Sequence, residues 1–462
     1  MTVRTASGVT ETAVVGDCIG QGTAGAALVS QVNLDCGLME YFEDSKDEVS
    51  YGSVRLQPLA YQDDIMRSSK DVLSTQVGNI KLAAMMEEKT CYIVCGSRRF
   101  KEKVMCDLES NPIMFGQFPV KHRESDRYLG QMLHSGGLDM CALATVQERV
   151  GRIKGATMEI KGIIEEFQMQ VMGGMMAAVD LWEKALIPSL LSGSGTWFGG
   201  NDCKAAVEMC DNVQNFFWRV MLTVPESCPK IALKCETGML GMKWRIWTEK
   251  ILLLMRIRKQ STDTLSRQVY EESRARGWPG LGEEVTLICN EIGVPDVNTN
   301  MVTKAEVKKA VWEHHYTHVK KELGESTKLM DIKDEDFTKV QDYFKDKSVE
   351  NARMAFKVRC KMVPDIPCNF KNKYKRRGEQ GILCSYCKEG EEFSQNHCLE
   401  CPTWADIRKG LDLTNIMDLV VFFRRLLAER ARLDKESVAK TASHDPCSGS
   451  SGGCSLNMFS YL

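Results

Sequence analysis

Two stretches of the chain combine residue types and spacings that can do chemistry. In the first, Tyr61-Gln62-Asp63-Asp64 sets an aromatic and two adjacent carboxylates between an apolar approach (Val54, Leu56, Leu59, Ala60) and an apolar exit (Ile65, Met66). Neighbouring side chains of a strand point to opposite faces, so both acids reach one side only at a hairpin turn. Bare carboxylates there can hold a hard cation such as Mg2+, which takes oxygen ligands and clamps substrate phosphates. A solvated Asp-Asp turn uses the same four letters and competes with that reading.

The second stretch is Cys384-x2-Cys387-x9-His397-x3-Cys401. Two thiolates two residues apart and a later His/Cys pair can close a tetrahedron around Zn2+. Cys398 also forms a Cys-x2-Cys pair with Cys401, so the spacing leaves the third ligand open between His397 and Cys398. A four-ligand site keeps no open position for activating water, so its expected work is to fold the segment. Lys371, Lys373, Lys375, Arg376 and Arg377 precede it, and Tyr374 and Tyr386 accompany it. That mixture suits nucleic-acid binding, alongside a purely structural reading.

The elements that must position these groups follow from composition and periodicity. A chain of 462 residues has room for about two to four domains. With 43% hydrophobic and 26% charged residues it reads as a soluble globular protein, and its longest apolar runs, such as Ile251 to Met255, cannot span a bilayer. No membrane partner is expected. The start lacks the apolar core of a signal peptide, and the 19 cysteines mostly stand alone. Cys91, Cys106, Cys141, Cys210 and Cys289 therefore read as small core residues in a reducing compartment, cytoplasmic or nuclear. A net charge of -2 excludes a uniformly basic coat, so any nucleic-acid contact rests on local patches.

Along the chain, short strands around Ser7-Gly8 give way to a bend at Gly16 to Gly22 and to helical spacing over Ala24 to Leu38 and Val72 to Met86. Arg98, Arg99, Lys101 and Lys103 form a basic run that fits either a solvated face or a phosphate contact. From Met140 the apolar period becomes helical through Val146, Val150, Ile153 and Ile160, with helices expected to stop at Pro188. Cys203 to Leu222 is a further helix. Lys243-Trp244-Arg245-Ile246-Trp247, Arg256 and Arg258 form the densest basic and aromatic mixture, suited to phosphate contact with base stacking or to buried tryptophans with snorkelling cations. Thr303-Lys304-Ala305-Glu306 is a capping box opening a helix with Val307, Val311, His315, Val319 and Leu323 on one face. His314 and His318 share another face, but a metal needs more ligands than that pair supplies. Ala405 to Leu433 is read as one helix, and the Ser/Gly-rich stretch Ser443 to Cys454 cannot bury a core.

Four motifs then occur in a set order: Gly20-Gln21-Gly22-Thr23, Tyr61-x-Asp63-Asp64, Glu88-Lys89-Thr90 and Tyr128-Leu129-Gly130. Taken together they resemble the non-LTR (LINE-type) retrotransposon reverse transcriptases. The resemblance implies template-directed phosphodiester formation on an RNA or DNA template-primer. It gives Mg2+ to Asp63 and Asp64, template and nucleotide positioning to Gln21, Gly22 and Tyr61, and the triphosphate to Lys89. The primer grip falls on Tyr128, Leu129 and Gly130. A Cys-Cys-His-Cys knuckle is part of the same pattern, which selects His397 over Cys398 as the third Zn2+ ligand.

Departures from the family set the functional expectation. The family's palm has an earlier motif whose aspartate completes the metal site, together with fingers, and the chain is expected to begin after both. Two-metal transfer needs several carboxylates to hold ions about 4 Å apart, and the connection before Lys89 looks shortened. The expectation is therefore a truncated polymerase, inactive alone, in which nucleic-acid binding persists. Its fold class is α+β: an incomplete reverse-transcriptase palm over residues 1–135, a helical thumb over 136–260, a helical connector over 261–380, a zinc knuckle over 381–405, a helix over 406–433 and a disordered tail over 434–462. Oligomeric state is left open.

Overall fold

The computed structural model describes residues 91–115, 118–166, 174–197, 201–298, 301–325, 329, 337–363, 384, 386–387 and 394–442, with short strand segments at 4–5, 8–9, 49–51, 53–56, 59–61 and 64–66. Gln21, Gly22, Asp63, Lys89, Lys375, Arg376 and Arg377, the expected helices over 24–38 and 72–86, and residues 443–462 lie outside that set.

The described parts are mostly helical, and every sheet among them has two strands. Antiparallel pairs join β1 (Arg4–Thr5) to β2 (Gly8–Val9), β3 (Val49–Tyr51) to β4 (Val54–Leu56) and β5 (Leu59–Tyr61) to β6 (Asp64–Met66). In the last of these Tyr61 faces Asp64. β7 (Cys91–Tyr92) leads through helix α1 (Arg98–Ser110) and the hairpin of β8 (Met114–Phe115) with β9 (Phe118–Pro119) to β10 (Lys121–His122), which pairs parallel with β7. β11 (Ser125–Tyr128) and β12 (Gln131–His134) form a second hairpin. Its turn residues Leu129 and Gly130 have φ of 47° and 78°, the pair of positive values that a two-residue turn matching strand twist requires. Gly130 adopts this freely; Leu129 does so against its Cβ.

The helical body follows. α2 (Leu138–Glu166) runs from the hairpin and packs against α5 (Asn201–Leu222). Between them lie α3 (Met175–Leu181), a π-helical turn (Trp182–Leu186) and α4 (Ile187–Leu191). Pro188 does not stop this helix, contrary to expectation. A proline inside a helix removes a donor and crowds the preceding turn. Here the widened turn takes up that mismatch, the Ile187 N–H donating to the Trp182 carbonyl five residues back. The core beneath is aromatic: Trp182 stacks on Phe217 with centroids 4.7 Å apart, Trp218 meets Phe217 edge-on at 5.0 Å, and Phe344 closes the row 6.1 Å from Trp218.

A second core gathers α7 (Met242–Lys259), α8 (Leu265–Ala275), α9 (Leu281–Ile292) and α10 (Lys304–Gly324), which follow α6 (Lys230–Thr237). The capping box at α10 forms as read. Thr303 Oγ accepts from the Glu306 N–H at 3.2 Å, and the Glu306 carboxylate accepts from the Thr303 N–H at 2.7 Å. Val307, Val311, His315, Val319 and Leu323 are buried along one face. α11 (Val349–Arg359), α12 (Gln395–Glu400), α13 (Ala405–Arg408) and α14 (Ile416–Ala442) complete the body. The single helix expected over Ala405 to Leu433 is thus two, broken near Gly410 at φ 79°, and the second runs on to Ala442. Among the described residues no helix is long and apolar enough to cross a membrane.

Candidate metal centre

Cys384, Cys387, His397 and Cys401 bring their ligand atoms within 4.8 Å of one another. The local sequence explains the convergence. Ser394 caps α12 by accepting from the His397 N–H at 3.1 Å, and Cys401 ends the helix with its N–H on the His397 carbonyl at 2.7 Å. His397 and Cys401 are four residues apart, so helical spacing sets their side chains on one face. The Cys384/Cys387 pair closes on that face, with Cys387 Sγ 3.5 Å from His397 Nε2. Tetrahedral Zn2+ with bonds of about 2.0–2.3 Å separates its ligands by roughly 3.3–3.8 Å, a range in which the Cys387–His397 pair already lies.

Cys398 takes no part. One residue along the helix from His397, it turns into the core, where it is fully buried among Val358, Trp404, Phe422 and Phe423. Burial pushes its thiol up to about 12, which keeps it protonated and hydrophobic in character near neutral pH. The choice that spacing left open is settled in favour of the histidine for the cluster.

The groups around the tetrad tie it to the body. Arg408 donates to the Cys401 carbonyl at 2.7 Å, and Gln395 Nε2 donates to the Val358 carbonyl of α11 at 2.7 Å. Tyr386, beside Cys387, packs its ring 4.9 Å from the buried Trp404 and accepts from Arg430 Nε of α14 at 3.1 Å. The knuckle is therefore clamped between α11 and α14. In comparisons with known proteins, no family model, no curated protein and no solved structure matches this chain.

The other expected site residues that are described stand on separate elements. Of the acidic pair, Asp63 lies outside the described residues and Asp64 is described only as the first residue of β6, so nothing in the geometry supports the expected Mg2+. Tyr61 closes β5 opposite it. Tyr128 ends β11, and Leu129 and Gly130 form the turn of the β11–β12 hairpin, with Leu129 exposed. On α7, Trp244 is buried against His315, their rings 4.5 Å apart. Lys243 pairs with Glu291 at 3.2 Å and lies 4.1 Å from the Trp247 ring, and Arg245 pairs with Glu183 at 2.5 Å. Arg256 is exposed and Arg258 half-buried. This is a helix that buries a tryptophan and directs its cations outward to carboxylates. In the basic run on α1, Arg98 pairs with Glu102 at 2.8 Å and Lys101 donates to the Ser135 carbonyl at 2.7 Å, leaving Arg99 and Lys103 exposed. Cys210 and Cys289 are buried as expected, whereas Cys106 is exposed.

Sequence reasoning missed the buried polar groups. Arg149 donates to the carbonyls of Gly130, Leu190 and Ser192. Glu236 accepts from Arg359 Nε at 2.8 Å and from the Tyr343 hydroxyl at 2.7 Å. Only Arg149 left a trace in the sequence, as a charge interrupting the apolar stripe of Val146, Val150 and Ile153.

Proposed function

We propose that this chain is a nucleic-acid-binding protein of LINE-type reverse-transcriptase descent, with Zn2+ held by Cys384, Cys387, His397 and Cys401. The observation that carries the reading is the tetrad itself, which uses His397 and rejects Cys398 in the order the family's knuckle has. Further support comes from the ordered upstream motifs and from the β5–β6 register, in which Tyr61 stands opposite Asp64. A bound Zn2+ would supply rigidity to the knuckle and no chemistry, since all four positions are taken by protein ligands. RNA or DNA is the proposed partner, met by exposed cations such as Arg99, Lys103, Arg256, Arg424 and Arg425. Thiols throughout the described residues agree with an intracellular setting, cytoplasmic or nuclear.

The polymerase reading stands second, on the β5–β6 register alone. One experiment separates the two: primer extension on an RNA template with Mg2+, beside a gel shift over a salt series. Binding that weakens steeply with salt, without extension, is the expected result. Extension abolished by Asp63→Ala would replace the binding reading with the polymerase one. Absence of both activities would overturn both.

A further inference from the structure

A groove of about 860 Å3 runs between α2 and α5 and ends at the start of α6. Its walls come from residues one or two turns apart, Val150, Lys154, Met158 and Lys161 on α2, facing Met209, Val213, Phe216 and Val220 on α5. The floor is apolar and the rim is cationic: Lys154, Lys161, Arg219 and Lys230 line it against the single acid Glu226.

Among the described residues these charges are only lightly compensated. Lys154 lies 5.4 Å from the Phe216 ring, Lys230 donates to the Asn212 amide at 3.0 Å and Arg219 to the Cys228 carbonyl at 3.0 Å. Among the described residues no carboxylate pairs with any of these three, and Lys161 has only Glu165 at 3.8 Å. Arg219 Nε is buried at the groove with no partner. Met158, which forms part of the apolar wall, is half exposed, at 52%.

We propose that this groove docks an acidic amphipathic helix of a partner protein. Three features select that occupant. A channel between two helices accepts a third by ridge-into-groove packing, and no strand edge lines it that an extended peptide could join. Methionine walls adapt to apolar anchors spaced at i, i+3/i+4 and i+7, while flanking Glu and Asp of the incoming helix meet the lysine rim. Single-stranded nucleic acid fits less well, because successive bases need several stacking platforms. Phe216 is the one aromatic in the lining, and Lys154 already sits near it. A small anion or fatty acid would lie in an open channel that cannot enclose it.

The test uses the full chain and a displayed library of random peptides about 16 residues long, roughly 24 Å as a helix. Selected sequences are expected to carry acids around apolar residues at helical spacing. Their affinity should fall about tenfold or more in Lys154→Glu/Lys161→Glu, two surface changes whose folding is checked by circular dichroism and bound zinc. Failure to enrich peptides, enrichment without helical spacing or acidity, or affinities untouched by the double reversal would overturn the proposal. So would a single-stranded RNA of about 20 nucleotides that competes with the selected peptides and depends equally on both lysines.

Discussion

The guanidinium of Arg149 donates to the carbonyl of Gly130 at 2.7 Å, reaching from α2 to the turn of the β11–β12 hairpin. The same group holds the Leu190 and Ser192 carbonyls at the end of α4, both at 2.8 Å. One buried cation thus ties the hairpin turn at Gly130 to the helix end at Leu190 and Ser192. Arg149→Met would leave these carbonyls, the buried one of Leu190 among them, without their donor and cost about 2–4 kcal/mol in urea unfolding. Arg149→Lys should recover little, because an ammonium lacks the planar fork that meets several acceptors. Faster amide exchange of Tyr128 to Gln131 in Arg149→Met is the accompanying signature, and unchanged exchange there would refute the staple.

The metal centre gives a prediction in which neighbouring residues behave oppositely. His397→Ala and Cys401→Ser should each abolish bound zinc in the purified chain, measured as a metal-to-protein ratio. Cys398→Ala should keep the zinc and lose stability instead, by about 1 kcal/mol for the small cavity left in the core. Because Tyr386, next to the ligand Cys387, packs on Trp404 and accepts from Arg430 of α14, chelation should also loosen α14. A zinc ratio that falls in Cys398→Ala and survives His397→Ala would reverse the ligand assignment.

His315 supplies a pH dependence. Its Nε2 meets the Met239 carbonyl at 3.2 Å, so Nε2 carries the proton and Nδ1 is left without a partner. Burial brings its folded value down to about 4, with Lys234, His318 and Arg245 adding to the depression. The unfolded chain binds the proton more readily, so the neutral ring contributes stability that is full above about 6.5 and is lost as pH falls toward 4. The span corresponds to roughly 3 kcal/mol. His315→Leu should flatten the stability profile between those two values; a slope as steep as in the parent would assign it to other groups.

Local signals in the sequence were read well where one physical rule dominated. The capping box at Thr303 and the every-fourth-residue face of α10 each depend on contacts within a few residues. The His397 ligand came from motif resemblance; three- and four-residue steps both return near one helix face, so what excludes Cys398 is its place in the core among Val358, Trp404, Phe422 and Phe423. Pro188 misled because a π turn, a rare device, absorbs its missing donor. Trp244 read as a stacking platform or as core, a choice that depends on what α10 brings against it. The groove between α2 and α5 was invisible because it is made by residues roughly 60 positions apart whose separate helices look ordinary.

Glu236 shows the same limit most sharply, for its partners lie more than a hundred residues downstream. Its carboxylate, 1% exposed as a side chain, accepts from Arg359 at 2.8 Å and from Tyr343 at 2.7 Å. The Tyr343 hydroxyl is held well above its usual range, first by burial and then by the charge of Glu236, so it stays a donor. Glu236→Gln leaves the Arg359 cation without its counter-charge and should cost about 3–5 kcal/mol, as removal of one buried partner does. Arg359→Met alone should cost a similar amount by stranding the carboxylate. The double variant should cost much less than the sum, because two charges leave the interior together. Urea unfolding of the two single variants and the double at neutral pH checks this, and strict additivity would mean that the two side chains, though adjacent, do not stabilise one another.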